Sequence, residues 1–434
     1  MADSATPVLR HVLGNGLTVL LKEVRTAPVI SWWVLYRVGS RNEPTGQTGV
    51  SHWVEHMMFK GTERFPAGAL DKRIEREGGV WNAQTSFDYT AYFETMPAHC
   101  IDLALEIEAD RMTQALFDLR EVEAERTVII SEREGSENSP TFWLHEETRA
   151  AAFRVHPYHH QVIGDMDDLR SMTRDDLYQH YRTHYNPNNA IAVAVGDFNA
   201  GHMLERIEAH FGGVPRGPEP PPVTRREPAQ RGERTVRIER EGNAAYVYVG
   251  YRAPAATDPD WFRLALVDSI LAGASAPGGN GIGNRTSRLY RALVEAELAT
   301  GVGGGLYPSA DPYLFSVLAT VRDGRTPEEV QAALDAEIER VAAGDVSQEE
   351  LDKARKQAKA LFAYGTERVT GQAFWLAFSE NFSDHTWYEH YLDHLAAVTL
   401  DDVREAAGRY LRRSQRTVGW FIPVNGSAQE NTPA

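Results

Sequence analysis

His52-Trp53-Val54-Glu55-His56 places two imidazoles and a carboxylate within one turn and a half of chain. On a helix turning about 100° per residue, His52 and His56 fall about 40° apart with Glu55 beside them. Neutral imidazoles bind divalent metals, and a carboxylate that is not itself a ligand can take a proton from a water at such a metal. The same pentapeptide also arises by chance, as a helix whose histidines are satisfied by their neighbours. Context adds weight to the metal. Ser51 is a candidate N-cap, which puts both histidines in the first turns of a helix, and Met57-Met58-Phe59 is apolar enough to be buried.

A catalytic metal normally takes three protein ligands and keeps one position open, so two histidines require a third partner. The best candidates lie in EVEAERTVIISERE, where Glu125 and Glu132 are seven residues apart. That spacing is about 20° short of two full turns and puts both carboxylates on one helix face. One of them can bind metal while the other braces a histidine from behind. The plain alternative is a solvated charged face.

The elements that must position these groups recur along the chain. MTRDDLYQHYRTHYNPNNAIAVAVGDF, from Met172, resembles VTLDDVREAAGRYLRRSQRTVGWFIPV, from Val398, at an offset of 226 residues. In each copy a Thr precedes an acidic pair and a helical stretch, and a β-rich segment closes the unit. Helical stretches over 98–117 and 119–134 have counterparts in TPEEVQAALDAEIERVAAG and SQEELDKARKQAKALF. Period-two and β-branched patterns predict strands over 17–24, 29–38, 91–95 and 190–195, and over 235–238, 246–251, 313–321 and 417–422. The Pro-rich, charged stretch 215–234 reads as an extended linker. The expected fold is α+β, with two duplicated homologous domains, 1–214 and 235–424, each a mostly antiparallel β-sheet covered by α-helices. The tail from Asn425 reads as disordered.

With 434 residues, 42% of them hydrophobic and 24% charged, the chain has the composition of a soluble protein with more than one core. Its net charge of −16 argues against a nucleic acid or an anionic membrane as partner, since either needs a basic face. Cys100 is the lone cysteine, so no disulfide framework or thiolate metal cluster is expected and a reducing compartment is the simplest reading. The segment MADSATPVLRHVLGNGLTVLL shows no secretory pattern, and no apolar run reaches the roughly 18 residues of a membrane span. A cytoplasmic location follows by default.

In their order and spacing, HWVEHMMFKGT, GGVWNAQTSFDYTAYF, AERTVIISE and VHPYHHQVIG resemble the pitrilysin family of zinc peptidases, which includes insulin-degrading enzyme and mitochondrial processing peptidase. H-x-x-E-H inverts the commoner H-E-x-x-H and marks the inverse zincins. Glu132 stands 76 residues after His56, within that family's usual spacing to its third ligand. The resemblance implies that His52, His56 and Glu132 hold one zinc ion, that Glu55 is the base, and that Glu125 is the carboxylate supporting the site. It also implies that the segment from Gly78 to Thr85 is an edge strand against which an extended peptide lies, with Asn82 and Ala83 making backbone contact. The activity implied is zinc-dependent endopeptidase action on unstructured peptides or short proteins.

The chain departs from that pattern in its second half. Complete members carry an Arg and, seven residues on, a Tyr that reach the substrate. In SRLYRALVEAELAT those places fall to Val294 and, after a one-residue shortening, Thr300. Neither donates as Arg or Tyr would to a developing oxyanion. Arg288 and Tyr290 belong to the preceding SRLY element. The departure implies a heterodimer, ahead of a homodimer, in which a homologous subunit without zinc supplies the missing pair. The competing reading is a non-catalytic assembly subunit of the same fold. The glycine-spaced segment 273–284 lacks the strand-to-helix setting and the Lys of a phosphate loop and reads as a mobile loop. His156, His159 and His160 sit in a Pro-containing loop and read as structural rather than as a second metal site.

Overall fold

A computed structural model describes residues 7–274 and 283–424. The tail from Asn425 and most of the glycine-spaced segment, residues 275–282, lie outside the described residues. The chain forms two compact units.

The first unit is built on a six-stranded sheet. Its strands are β1 (Leu9–Val12), β2 (Thr18–Glu23), β3 (Val29–Tyr36), β4 (Val80–Thr85), β5 (Thr90–Pro97) and β6 (Ala190–Gly196), in the order β1-β2-β6-β3-β5-β4. Every neighbouring pair is antiparallel except β2 and β6. The second unit carries β7 (Arg234–Glu241), β8 (Tyr246–Arg252), β9 (Ala299–Leu306), β10 (Leu314–Val321) and β11 (Arg416–Val424), in the order β7-β11-β8-β10-β9, again with one parallel pair, β7 and β11. Strand for strand, β2-β6-β3-β5-β4 corresponds to β7-β11-β8-β10-β9. The α+β duplication expected from the sequence is therefore present in the sheets themselves.

The repeat offset is visible in the caps. Thr173 accepts from the Asp176 amide at the start of the helix Arg174–His184, and Thr399 accepts from the Asp402 amide at the start of Leu400–Tyr410. Each has a reciprocal capping box, which satisfies two otherwise orphaned amides. Beyond each helix the chain enters the strand that pairs in parallel, β6 or β11.

The chain passes from one unit to the other at Arg225–Arg226, within the Pro-rich stretch, but it also crosses at other points. Among the described residues, one unit consists of 7–133 with His160–Arg225 and Gly365–Glu389; the other has Glu134–His159, 226–274, 283–364 and 390–424. The two longest helices in the exchanged segments show the crossing. Val369–Phe382 packs on β3 and β6 of the first sheet, and Pro140–Ala152 packs on β7, β8 and β11 of the second. The reason lies in the sheet faces. β3 is buried along almost its whole length, so both of its faces need cover. On the outer face Trp33 stacks on Phe93 at 4.2 Å and meets Phe374 at 5.8 Å. Arginines then fasten each exchanged helix by its last carbonyls. Arg37 donates to Glu380 O and Asn381 O at 2.7 and 2.8 Å. Arg234 donates to Ala151 O and Ala152 O, and Arg252 to Ala152 O.

The stretch 215–233 has no regular secondary structure, but it is not a loose tether. The Glu227 carboxylate accepts the amides of Arg154, Val155 and His156 and pairs with Arg252, and Gln230 is buried. Three strands escape the pattern reading, of which β4 was expected from the resemblance alone. β1 is short and exposed on both faces, and β9 contains Gly301, Gly303, Gly304 and Gly305, which carry no alternation to read.

Candidate metal centre

The helix Val50–Met57 packs Val50, Trp53, Val54 and Met57 into the core and leaves His52 and His56 half-buried on its other side. Its start differs from the expectation. The N-cap is Gly49, at φ 88°, and not Ser51, which lies inside the helix with its hydroxyl 3.2 Å from His180 Nε2. Only glycine fits at position 49, because a Cβ there would meet Ile163 O at 2.6 Å as well as strain the backbone. The first amides are satisfied from six residues upstream. Glu43 accepts the Gly49 amide at 2.8 Å and the Ser51 amide at 2.9 Å, one with each oxygen. Burial pushes the Glu43 carboxyl up to about 8, against the pull of those two amides. Asp168 holds Thr48 by its amide and its hydroxyl at 2.9 and 2.7 Å. The placement of the histidines thus begins with a helix start tied down from two directions.

His52 Nε2 and His56 Nε2 lie 3.3 Å apart, and Glu132 Oε2 lies 3.9 Å from the first and 3.8 Å from the second. Tetrahedral zinc with donors about 2.0–2.1 Å away sets those donors about 3.3–3.5 Å from one another. The edge between the histidines matches that spacing, and the two edges to Glu132 are a few tenths of an ångström longer, a gap that this half-exposed side chain can close around an ion. Among the described residues this is the one group of three such side chains whose donor atoms converge closely enough to hold a metal. Glu132 closes it from the helix Leu119–Glu137, where its side chain is about half exposed, while Glu125 on the same helix is buried.

Glu125 stands behind His56. Its Oε1 accepts from His56 Nδ1 at 2.7 Å, which leaves the lone pair of Nε2 facing the triangle. Lys60 Nζ lies 2.5 Å from the other Glu125 oxygen. Burial lowers the His52 imidazole to about 4, with the neighbouring His56 adding to the effect, so His52 is neutral and ready to donate a lone pair. For His56 burial acts in the same direction, but Glu125 outweighs it and the net shift is upward. Burial works to raise Glu125, and His56 and Lys60 bring it below its ordinary range. His52 Nδ1 is buried without a hydrogen-bond partner among the described residues, so the polar outlet of that ring is Nε2.

Glu55 is on the same helix and makes no part of the triangle. Burial raises its carboxyl, while the Thr85 hydroxyl, donating to Glu55 Oε2 at 2.5 Å, pulls it back. Thr85 ends β4, on the face it shares with Trp81 and Ala83. Trp81 packs on Phe59, just beyond the histidine helix, at 4.7 Å between ring centroids. β4 pairs with β5 alone and is the last strand of its sheet, so its outer edge is open among the described residues. Asn82 is exposed on that edge, Ala83 is half-buried, and the Ala83 amide is held by Asn82 Oδ1 at 2.8 Å. Lys60 and Thr85 were not singled out in the sequence; period-two reading of β4 toward the histidine helix would have found Thr85.

In the second unit, Val294 is half-buried within a π-helical turn, Tyr290–Glu295, and Thr300 is exposed on β9. Arg288 is engaged elsewhere, with its guanidinium forked on Glu350 at 2.6 and 2.8 Å. The histidines of HPYHH are used structurally: His156 meets Asp311 at 3.2 Å and accepts the Tyr158 amide, His159 bonds His156 O, and His160 bonds Gln161 O.

Residues 18–166 match the family described as insulinase (peptidase family M16), and residues 171–358 match the peptidase M16 inactive domain. The chain is 32% identical over 417 residues to a Helicobacter pylori protein named zinc protease PqqE, covering 95% of this chain and 92% of that one. It is 27% identical over 352 residues to the probable mitochondrial-processing peptidase subunit beta of Arabidopsis thaliana, covering 80% of this chain and 65% of that one. The crystal structure of a protease from Helicobacter pylori superposes with a TM-score of 0.91 at 31% identity, over 96% of this chain and all of that one. With two M16 domains in tandem and relatives named as zinc proteases, this chain belongs to peptidase family M16.

Proposed function

We propose that this protein is a zinc-dependent endopeptidase that hydrolyses extended, unstructured peptides or short proteins. The observation that carries the reading is the convergence of His52 Nε2, His56 Nε2 and Glu132 Oε2 beside the non-ligating carboxylate of Glu55. A zinc ion held by those three side chains would polarise a peptide carbonyl and bring the acidity of a water near neutrality. Glu55 takes the proton of that water and delivers it to the leaving amine. Glu125 fixes the ring of His56, and Lys60 offsets the charge of Glu125. The open edge of β4 supports binding by strand addition, in which main-chain pairing holds any sequence and pockets read alternate side chains. Asn82 and Ala83 lie where such a peptide would pair, and the amide that Asn82 now occupies is the donor it would use.

The partner follows from Val294 and Thr300. Neither donates to a developing oxyanion as Arg or Tyr would, so we infer that a homologous subunit without zinc supplies an Arg and a Tyr. The Arabidopsis relative, named as one subunit of a processing peptidase, supports this arrangement. The inactive-domain match, which runs from residue 171 in the first unit to residue 358 in the second, supports reading the second unit as scaffold rather than as a metal site.

The test is zinc content and peptide cleavage of the protein purified from native cells, alone and with whatever chain accompanies it. About one zinc per chain is expected, with cleavage that a chelator abolishes and zinc restores, and a higher rate in the complex. Zinc-independent cleavage would sink the proposal. Bound zinc with no cleavage in any assembly would favour a non-catalytic subunit instead.

A further inference from the structure

We propose that Thr85 is a positioning residue for Glu55, holding one carboxylate oxygen so that the other is aimed at the reacting water; this rests on the reading of Glu55 as the base. A hydroxyl has one proton to give. The Thr85 hydroxyl has two acceptors in reach, Glu55 Oε2 at 2.5 Å and Thr90 Oγ1 at 3.5 Å. Thr90 gives its own proton to Val38 O at 2.9 Å. The short contact takes the Thr85 proton. The two Glu55 oxygens are thereby made unequal, with Oε2 tethered to the hydroxyl and Oε1 left outside that bond.

That inequality matters because the terminal torsion of a glutamate is broad and roughly two-fold, whereas proton abstraction needs heavy atoms about 2.6–3.2 Å apart. An untethered carboxylate spends much of its time misaimed. Thr85 supplies a fixed reference: it is β-branched, hence stiff at χ1, and it is paired with Thr90 across β4 and β5. The donor therefore stands on the sheet while the base stands on the helix Val50–Met57, and the bond ties the two elements together at the carboxylate. The side-chain hydrogen bonds of Thr85 go to Glu55 and Thr90 and reach neither the three converging ligand atoms nor the outer edge of β4. Loss of the hydroxyl should therefore act on turnover and leave metal and peptide binding alone.

The experiment compares Thr85→Val, which keeps the shape and removes the hydroxyl, with Thr85→Ser, which keeps the hydroxyl, in the zinc-loaded protein in its active assembly. Thr85→Val should lower kcat about 10- to 100-fold with KM within about twofold, unchanged zinc content and an unchanged melting temperature. Thr85→Ser should restore kcat to within about threefold of the parent. Glu55→Gln runs alongside. If it turns over at the parent rate, the base assignment has failed and the role of Thr85 falls with it. If Glu55→Gln is inactive while Thr85→Val keeps its kcat, only the role of Thr85 is overturned. That role is overturned equally if Thr85→Val loses zinc, or if serine does not rescue it.

Discussion

His56 Nδ1 and Glu125 Oε1 lie 2.7 Å apart, and Lys60 reaches the opposite oxygen of the same carboxylate. The carboxylate orients the ring and makes Nε2 a better donor, while the ammonium keeps the buried carboxylate anionic. Glu125→Gln is expected to weaken zinc binding about 10- to 100-fold, and Lys60→Met by a smaller factor in the same direction. Competition with a chromophoric chelator measures both. Equal zinc affinity in Glu125→Gln would show that the histidine needs no brace.

Arg37 fastens the exchanged helix Val369–Phe382 through the carbonyls of Glu380 and Asn381. Replacing it with Leu leaves two helix-end acceptors under-satisfied and should lower stability by about 2–3 kcal/mol. The effect should be local as well as global. Amide exchange in 369–382 should accelerate before the rest of the first unit, and uniform protection there would contradict the role given to Arg37.

His184 is buried to about 5% exposure, and burial lowers its imidazole to about 4 from an ordinary 6.5. The folded state therefore binds fewer protons than the unfolded chain between those values. The stability this represents is complete above pH 6.5 and is lost as pH falls toward 4. His184→Phe, which also removes a buried Nδ1 that has no hydrogen-bond partner among the described residues, should flatten the acid limb of the stability profile by up to about 1.4 kcal/mol per pH unit. Denaturant unfolding from neutral pH down to about 4 reads the slope, and parallel profiles for parent and variant would contradict it.

Among the described residues, two that are not glycine adopt left-handed backbone, Phe117 at φ 49° and Glu297 at φ 57°. Opposite outcomes follow. Glu297 is exposed, so Glu297→Gly relieves strain and loses little packing, and should stabilise by about 0.5–1 kcal/mol. Phe117 buries its ring against Tyr181 and Tyr178, so Phe117→Gly should destabilise by about 3 kcal/mol despite the same relief. Thermal melts of the two variants should move in opposite directions.

What was legible in the sequence was local or repeated. The pentapeptide from His52 to His56 carries its own geometry, and the copies at Thr173 and Thr399 announce the duplication because a capping box is a four-residue signal. Relations across the chain were harder to read. Ser51 looked like a cap because nothing nearby shows that Glu43 reaches the first amides instead. Glu125 and Glu132 share a helix face, and only the surroundings of each separate a buried brace from a half-exposed donor. The exchange of Val369–Phe382 and Pro140–Ala152 was hidden for a related reason: an amphipathic helix records that it covers an apolar face but not whose face it is.

Central to the proposed function is that Glu55 would move the proton at a metal site that it does not help to build. The most direct measurement is kcat of the zinc-loaded Glu55→Gln protein, with zinc content determined on the same sample. The expected result is about one zinc per chain and a rate at least about 100-fold below the parent. Undiminished turnover with zinc retained would contradict it.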